Sequence, residues 1–326
     1  MKNFTYIQPG SLKEANKNLG EDWRSSLLLA GGTDLLGLMK DGIEAPQRVV
    51  NLKSVPGLET ITYEPGRGLT IGALASLRAI AGHPVIREKY TALAEAASEV
   101  ASPQLRNIGT LAGNLCQRPR CWYYRGGFKC LRRGGDACFA VDGRNKFHCV
   151  IGGGPCFIVH PSDTAVALAA LNASVTYFSG RKTRTVPVGQ FFLLPEINVE
   201  RENILSPGDI LTQITIPDLP AGAKSGFIKM KERGAWDFAL VSVAAMIQRT
   251  GQVISSGTVA LGGIAPIPWL EKNVSSKLAG LSTDSESLAQ ASQLALTNAE
   301  PLAENGYKIP LARNLIKRTL GRLCEA

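Results

Sequence analysis

QLRNIGTLAGNLCQRPRC, residues 104–121, and GGGPCFIVHPSD, residues 152–163, bracket the stretch on which the fold turns. The first holds a small-residue turn, Gly109-Thr110-Leu111-Ala112-Gly113-Asn114, and the second a helix-start signal, His160-Pro161-Ser162-Asp163. Six of the seven cysteines lie within residues 104–163: Cys116, Cys121, Cys130, Cys138, Cys149 and Cys156. An odd number of cysteines clustered in one region of a 326-residue chain argues for a metal or redox site rather than a disulfide scaffold. The insert between the two ends reads as neither regular helix nor regular strand.

Outward from this stretch the chain alternates. FTYIQ (4–8), Ser26–Ala30 and Arg48–Leu52 read as strands. Ser11, with Glu14 three residues on as a capping box, starts a helix between the first two, and LLGLMKDG is apolar at helical spacing between the last two. Residues 4–52 are therefore a small α/β unit. Gly68–Gly72 begins a second unit, with helix from Ser76 to Ser102 broken at Pro84 and alanine-rich over its second half. Ser162 caps a further helix, and Ala173–Phe178 and Arg184–Val188 form a hairpin across Ser179-Gly180-Arg181-Lys182. A Pro/Gly-rich connection at 217–224 marks a boundary. Beyond it, Phe227–Arg233, Ala239–Arg249 and Val253–Leu261 read as strands, and 284–299 and 311–323 as helices, with Pro310 suited to a first turn. The expected organisation is a domain over 1–220, with subdomains about 1–55 and 56–220 and an insert about 117–156, then an α+β domain over 221–326.

Net charge is +9, which suits anionic ligands or an acidic partner. The basic residues form no runs interleaved with aromatics, so nucleic acid is not expected. No run approaches the roughly 20 apolar residues of a membrane span, so no direct membrane insertion is expected. The N-terminus lacks a signal-peptide apolar core, so the expected compartment is the cytoplasm. The alternative is the periplasm, reached by co-export with a partner bearing a twin-arginine signal.

Ala30-Gly31-Gly32-Thr33-Asp34 joins a strand to a helix, where glycines let backbone N–H groups approach an anion such as a pyrophosphate. It lacks the spacing of a nicotinamide-binding turn, and a plain turn reads the same way. Gly109–Asn114 permits close approach of a flat ring, with Thr110 and Asn114 able to hydrogen-bond its edge; the alternative is a tight connection. Cys121, Cys130, Cys138 and Cys156 are spaced 9, 8 and 18 apart. No CxxC pair of the zinc type occurs, and wide spacing suits a 4Fe–4S cube. Cys149, in FHCVIG, reads as strand with its side chain in a core; it competes with Cys156 for the fourth position, and buried free thiols are the alternative for the whole set. Residues 117–148 carry a net +6, which would offset an anionic cluster or simply form a solvated loop or docking patch. His160 reads as structural. Asp163 reads as a cap or a ribose or flavin contact. Lys229, Lys231 and Arg233 read as a solvated strand face; the alternative is that one of them reaches a flavin or its phosphates.

AGGTDLL, then QLRN-GT-AGN, then HPSD, then FALVSVA at 238–244, resemble the flavin subunits of the molybdenum hydroxylase family, which includes xanthine dehydrogenase, carbon monoxide dehydrogenase and aldehyde oxidoreductases. The resemblance covers the whole chain. The cysteine insert is similar to that of the 4Fe–4S-containing subset, most of all the flavin subunit of periplasmic aldehyde oxidoreductase. The resemblance implies an α+β chain: a two-subdomain FAD-binding domain of the vanillyl-alcohol-oxidase (PCMH) type plus a small C-terminal antiparallel-sheet-and-helix domain. It implies FAD, with Leu27, Leu28, Leu29, Ala30, Gly31, Gly32, Thr33, Asp34 and Leu35 around the pyrophosphate. Thr110, Gly113 and Asn114 would lie at the flavin, and Asp163 and Lys229 would contact it. It implies a 4Fe–4S cluster on Cys121, Cys130, Cys138 and Cys156. The implied partners are a large subunit with the molybdenum cofactor and a small subunit with two 2Fe–2S clusters, and electrons would leave FAD for an external acceptor. A metal-stapled interaction subunit and a stand-alone flavin oxidoreductase are the competing readings.

Overall fold

The structure, a computed structural model, describes residues 1–180 and 182–325. Three sheets organise it. The first contains β1 (Thr5–Ile7), β2 (Ser26–Leu29) and β3 (Arg48–Asn51), in the order β1-β3-β2, all parallel. The helices Leu12–Asn18 and Leu35–Lys40 connect them, as alternation requires of a parallel sheet. The Ser11 hydroxyl accepts from the Glu14 N–H at 3.2 Å. The Glu14 carboxylate reaches back one residue further than a capping box predicts, to the Gly10 N–H at 2.7 Å.

The second sheet contains β4 (Ile61–Glu64), β5 (Gly68–Gly72), β6 (Ser174–Ser179), β7 (Lys182–Pro187) and β8 (Ile210–Ile216). The order is β4-β5-β8-β6-β7, antiparallel throughout. The β6–β7 hairpin forms as its pattern predicts; Arg181 of its turn lies outside the described residues. Strands β4 and β8 are additions to the sequence reading, and β8 is the one that joins the two hairpins. Against this sheet pack two alanine-rich helices, Thr91–Glu99 and Asp163–Ala170. Their small side chains let both enter one core; every residue of Asp163–Ala170 is buried.

The third sheet is antiparallel: β9 (Lys224–Met230), β10 (Val241–Thr250) and β11 (Val253–Gly262), with the two-residue strands Trp269–Leu270 and Leu281–Ser282 at its edge. Alternation along β10 sorts its side chains. Val241, Val243, Ala245 and Ile247 join the core made with Leu288, Leu315, Ile316 and Leu320 of the C-terminal helices. Ala244 and Met246 join the core of the alanine-rich helices. The sheet is thus buried on both faces and locks the C-terminal unit onto the rest. Among the described residues no helix is long and apolar enough to cross a membrane.

The insert is held by polar contacts more than by a core. Residues around Cys149 form no strand, contrary to expectation. Cys149 N–H donates to the Phe157 carbonyl at 3.0 Å and Val150 N–H to that of Ile264 at 2.9 Å, isolated bonds without a ladder. The Lys308 ammonium, wholly buried at the start of the helix Lys308–Glu325, donates to the carbonyls of Phe147 (2.9 Å), His148 (2.9 Å) and Gly263 (2.6 Å). Burial pulls its pKa down to about 7, and the three carbonyls are what make a lysine tolerable there. Replacing Lys308 with methionine strands those acceptors. The expected loss is about 3 kcal/mol in a urea unfolding titration.

Candidate cofactor site

β2 runs into the turn Ala30–Asp34, and the helix Leu35–Lys40 follows. Gly32 sits at φ +75°, where a side chain would be strained. A Cβ on Gly31 would stand 2.3 Å from the Ile108 carbonyl oxygen, so that glycine is demanded by packing against the second small-residue turn. The backbone N–H groups of Gly32, Thr33 and Asp34 donate to no acceptor among the described residues. They open into a cleft lined by Leu27, Leu28, Ala30, Gly31, Gly32, Thr33, Asp34 and Leu35. Leu29 does not line it: its side chain is packed with Met39 and Val49. Unclaimed amides beside a glycine at positive φ fit the phosphate oxygens of a dinucleotide.

The cleft continues past Thr110 and Gly113 to a second section lined by Asn114, Asp163, Lys229, Trp236 and Phe238. The two turns that the sequence separates by about eighty residues are therefore one wall. Thr110 caps the helix Leu111–Leu115 by accepting from the Gly113 N–H at 3.1 Å. Asn114 Oδ1 accepts from the hydroxyls of Ser162 and Thr164, both at 2.6 Å. That face of the amide is spent on tying the turn to the helix Asp163–Ala170, so Asn114 has only its nitrogen for a ligand. Asp163 and Lys229 form a buried ion pair at 2.7 Å, and Lys229 also donates to the Glu99 carbonyl at 3.3 Å. Burial raises the Asp163 pKa against the pull of Lys229. His160 is buried and pushed down to about 3, hence neutral, and its Nδ1 accepts from the Ser162 N–H at 3.3 Å.

Asp34 lines the cleft, but its carboxylate is turned to the cysteine insert. Its carboxylate pairs with Arg120 at 2.9 Å and Arg125 at 2.8 Å and accepts from the Arg118 N–H at 2.7 Å. It fastens the first turn to the cysteine insert. Burial lowers the Arg120 pKa, with Asp34 opposing. The basic insert is thus spent mainly on ion pairs: Arg118 and Arg132 face Glu202, Arg144 faces Glu304, and Lys146 faces Glu232. Of the eight cations, Arg132 is the one hydrogen-bonded to a cysteine, its Nε lying 3.4 Å from Cys156 Sγ. Glu202, Trp23, Arg201 and Trp236 stand in loops without a motif and are not singled out by the sequence; Phe238 opens the FALVSVA motif but had no role assigned.

Cys121, Cys130, Cys138 and Cys156 line one small cavity, together with Tyr124, Arg132 and His148. Cys138 and Cys156 share a side-chain hydrogen bond, which lowers the pKa of Cys138 and raises that of Cys156. Cys121 Sγ lies 3.3 Å from His148 Nε2. Among the described residues no three His, Cys, Asp or Glu side chains stand in metal-ligating geometry. Cys149 lies outside the cavity, fully buried, its pKa pushed up to about 12 by desolvation. The donor set of the cavity, four thiols, is one that suits iron–sulfur or zinc chemistry.

Residues 2–219 match the family profile described as FAD binding domain in molybdopterin dehydrogenase, and residues 226–323 that of the CO dehydrogenase flavoprotein C-terminal domain. The chain is 37% identical to the aldehyde oxidoreductase FAD-binding subunit PaoB of Escherichia coli, over 98% of each chain. It is 26% identical to the carbon monoxide dehydrogenase medium chain of Hydrogenophaga pseudoflava, over 97% of this chain and 96% of that one. The solved structure of carbon monoxide dehydrogenase from Hydrogenophaga pseudoflava superposes with a TM-score of 0.76 at 25% identity, over 98% of this chain and 96% of that one.

Proposed function

The chain belongs to the FAD-binding medium subunits of the molybdenum hydroxylases, and from that premise we propose that it relays electrons within a three-subunit complex. The chain would hold the FAD through which electrons from the 2Fe–2S centres of a small partner subunit would reach an external acceptor. A large partner subunit carries the molybdenum cofactor and the organic substrate. The observation that carries this reading is the two-section cleft, with unclaimed amides in one section and the Asp163–Lys229 pair in the other.

Bound FAD supplies the capacity to accept electron pairs and release them singly or together. The chain's own residues do the holding. Gly32, Thr33 and Asp34 present N–H groups to the pyrophosphate. Thr110, Gly113 and Asn114 form the wall that a flat ring would face. Lys229 holds a positive charge in a water-poor section, where its effect on a neighbouring group is stronger than at the surface. Asp163 fixes the position of that charge. Trp236 and Phe238 stand at the rim, exposed enough to cover a ligand.

Within the same proposal, Cys121, Cys130, Cys138 and Cys156 hold a 4Fe–4S cluster. What supports it is the convergence of those four thiols on one cavity, the guanidinium at Cys156 and the exclusion of Cys149. A single purification tests both parts. The chain should carry one FAD, released by acid and identified by chromatography, with iron and acid-labile sulfide alongside. A chain that binds no flavin overturns the relay. Zinc in place of iron and sulfide overturns the cluster.

A further inference from the structure

Arg118 and Arg201 have no role in the reading above, yet both line the amide end of the cleft. The Arg118 side chain is 10% exposed, and its Nε and Nη1 are buried without a hydrogen-bond partner. The Glu202 carboxylate is 3.6 Å from Nε, outside hydrogen-bond reach. The Arg201 guanidinium lies over the Trp23 ring at 4.4 Å, and its Nε is also buried and unpartnered. Desolvation and the neighbouring Arg118 both lower the Arg201 pKa, so the two cations crowd each other. The carboxylates lining this cleft are Asp34, Glu44, Glu202 and Asp209; Asp34 is paired with Arg120 and Arg125, Glu202 is hydrogen-bonded to Arg132, and Asp209 accepts from the Ser206 N–H. Buried guanidinium N–H groups without acceptors are costly unless something else fills them.

We propose that Arg118 and Arg201 read the diphosphate of the dinucleotide, donating from these free nitrogens to an anion seated on the Gly32–Asp34 amides. The inference rests on the cleft taking FAD. It makes the first arginine of the cysteine insert part of the flavin site. The Arg118 backbone N–H is held by Asp34 at 2.7 Å, so the side chain is positioned by the same turn that offers the amides. Charged, geometrically fixed donors discriminate a diphosphate from a ligand that has none. The cleft should therefore prefer FAD and ADP over riboflavin.

The test uses the full chain freed of flavin and titrated by calorimetry with FAD, ADP and riboflavin. Arg118→Gln and Arg201→Gln should each weaken FAD and ADP by roughly tenfold or more, the worth of one charged hydrogen bond. Riboflavin affinity should stay unchanged, and Arg118→Lys should recover part of the loss. Unchanged FAD and ADP affinity in both Gln variants overturns the proposal. So does a parallel loss of riboflavin binding or a collapsed melting transition in both, since either marks a scaffold effect. If the wild-type chain binds ADP through these arginines but no flavin, the flavin relay fails while the diphosphate site stands.

Discussion

Cys156→Ser should reduce iron and labile sulfide in the purified chain from stoichiometric to trace, while Cys149→Ala leaves both unchanged. The asymmetry follows from position. Cys156 lines the cavity with Cys121, Cys130 and Cys138, and its sulfur is met by the Arg132 Nε at 3.4 Å. A thiolate cluster is anionic, and a guanidinium already directed at one sulfur lowers the cost of burying that charge. Cys149 is equally buried but lies outside that cavity, where it behaves as a small apolar side chain. The second consequence concerns order. The insert has a thin apolar core of its own, Leu38, Tyr124 and Cys130 with Ile43 and Cys121 at its edge. Without a cluster its middle hangs on ion pairs, and the exposed ones among them, Arg144–Glu304 and Lys146–Glu232, contribute little. Limited proteolysis should then cut Cys156→Ser within residues 117–156 at a protease dose that spares the parent. Iron retained in Cys156→Ser and lost in Cys149→Ala would reverse the ligand assignment.

The parallel unit at residues 4–52 was legible because its strands are short, the first two run straight into Pro9 and Gly31, and alternation of strand and helix admits few topologies. The site turns were legible for the same local reason. Strand β8 was not, although ILTQITI is an adequate strand sequence, because its partners β5 and β6 lie far away in the chain. Asp34 shows the limit more sharply. The sequence places it in the pyrophosphate turn, yet the partners of its carboxylate, Arg118 and Arg125, are 84 and 91 residues distant. No period or spacing encodes such a contact. Cys149 failed in the opposite way: FHCVIG has strand composition, but in this structure its flanking N–H groups find carbonyls of Phe157 and Ile264 one at a time. Composition describes what a segment prefers, and tertiary partners decided otherwise.

Lys229→Met should destabilise the chain by about 3–5 kcal/mol at neutral pH, the cost of leaving one charge of a buried pair uncompensated. The side chains of Lys229 and Asp163 are 1% and 6% exposed, so water does not reach the stranded carboxylate. The pH dependence gives the prediction its sign. Burial already raises the Asp163 pKa, and removing Lys229 takes away the largest opposing pull. The folded variant therefore holds its proton at pH values where the unfolded chain, with a carboxylate pKa of about 3.9, has released it. A folded state that binds more protons than the unfolded one loses stability as pH rises. The deficit of Lys229→Met should accordingly be smallest in acid and grow toward neutrality, levelling off once the buried carboxyl ionises. Lys229→Met combined with Asp163→Asn removes both charges and should recover most of the loss, because a neutral amide can stay buried where a carboxylate cannot. Urea titrations of the single and double variants across pH 5 to 8, with flavin removed, separate this from ligand linkage. A pH-independent deficit, or a double variant no better than the single, would place the cost in packing against Glu99 and the helix Thr91–Glu99 instead of in the charge.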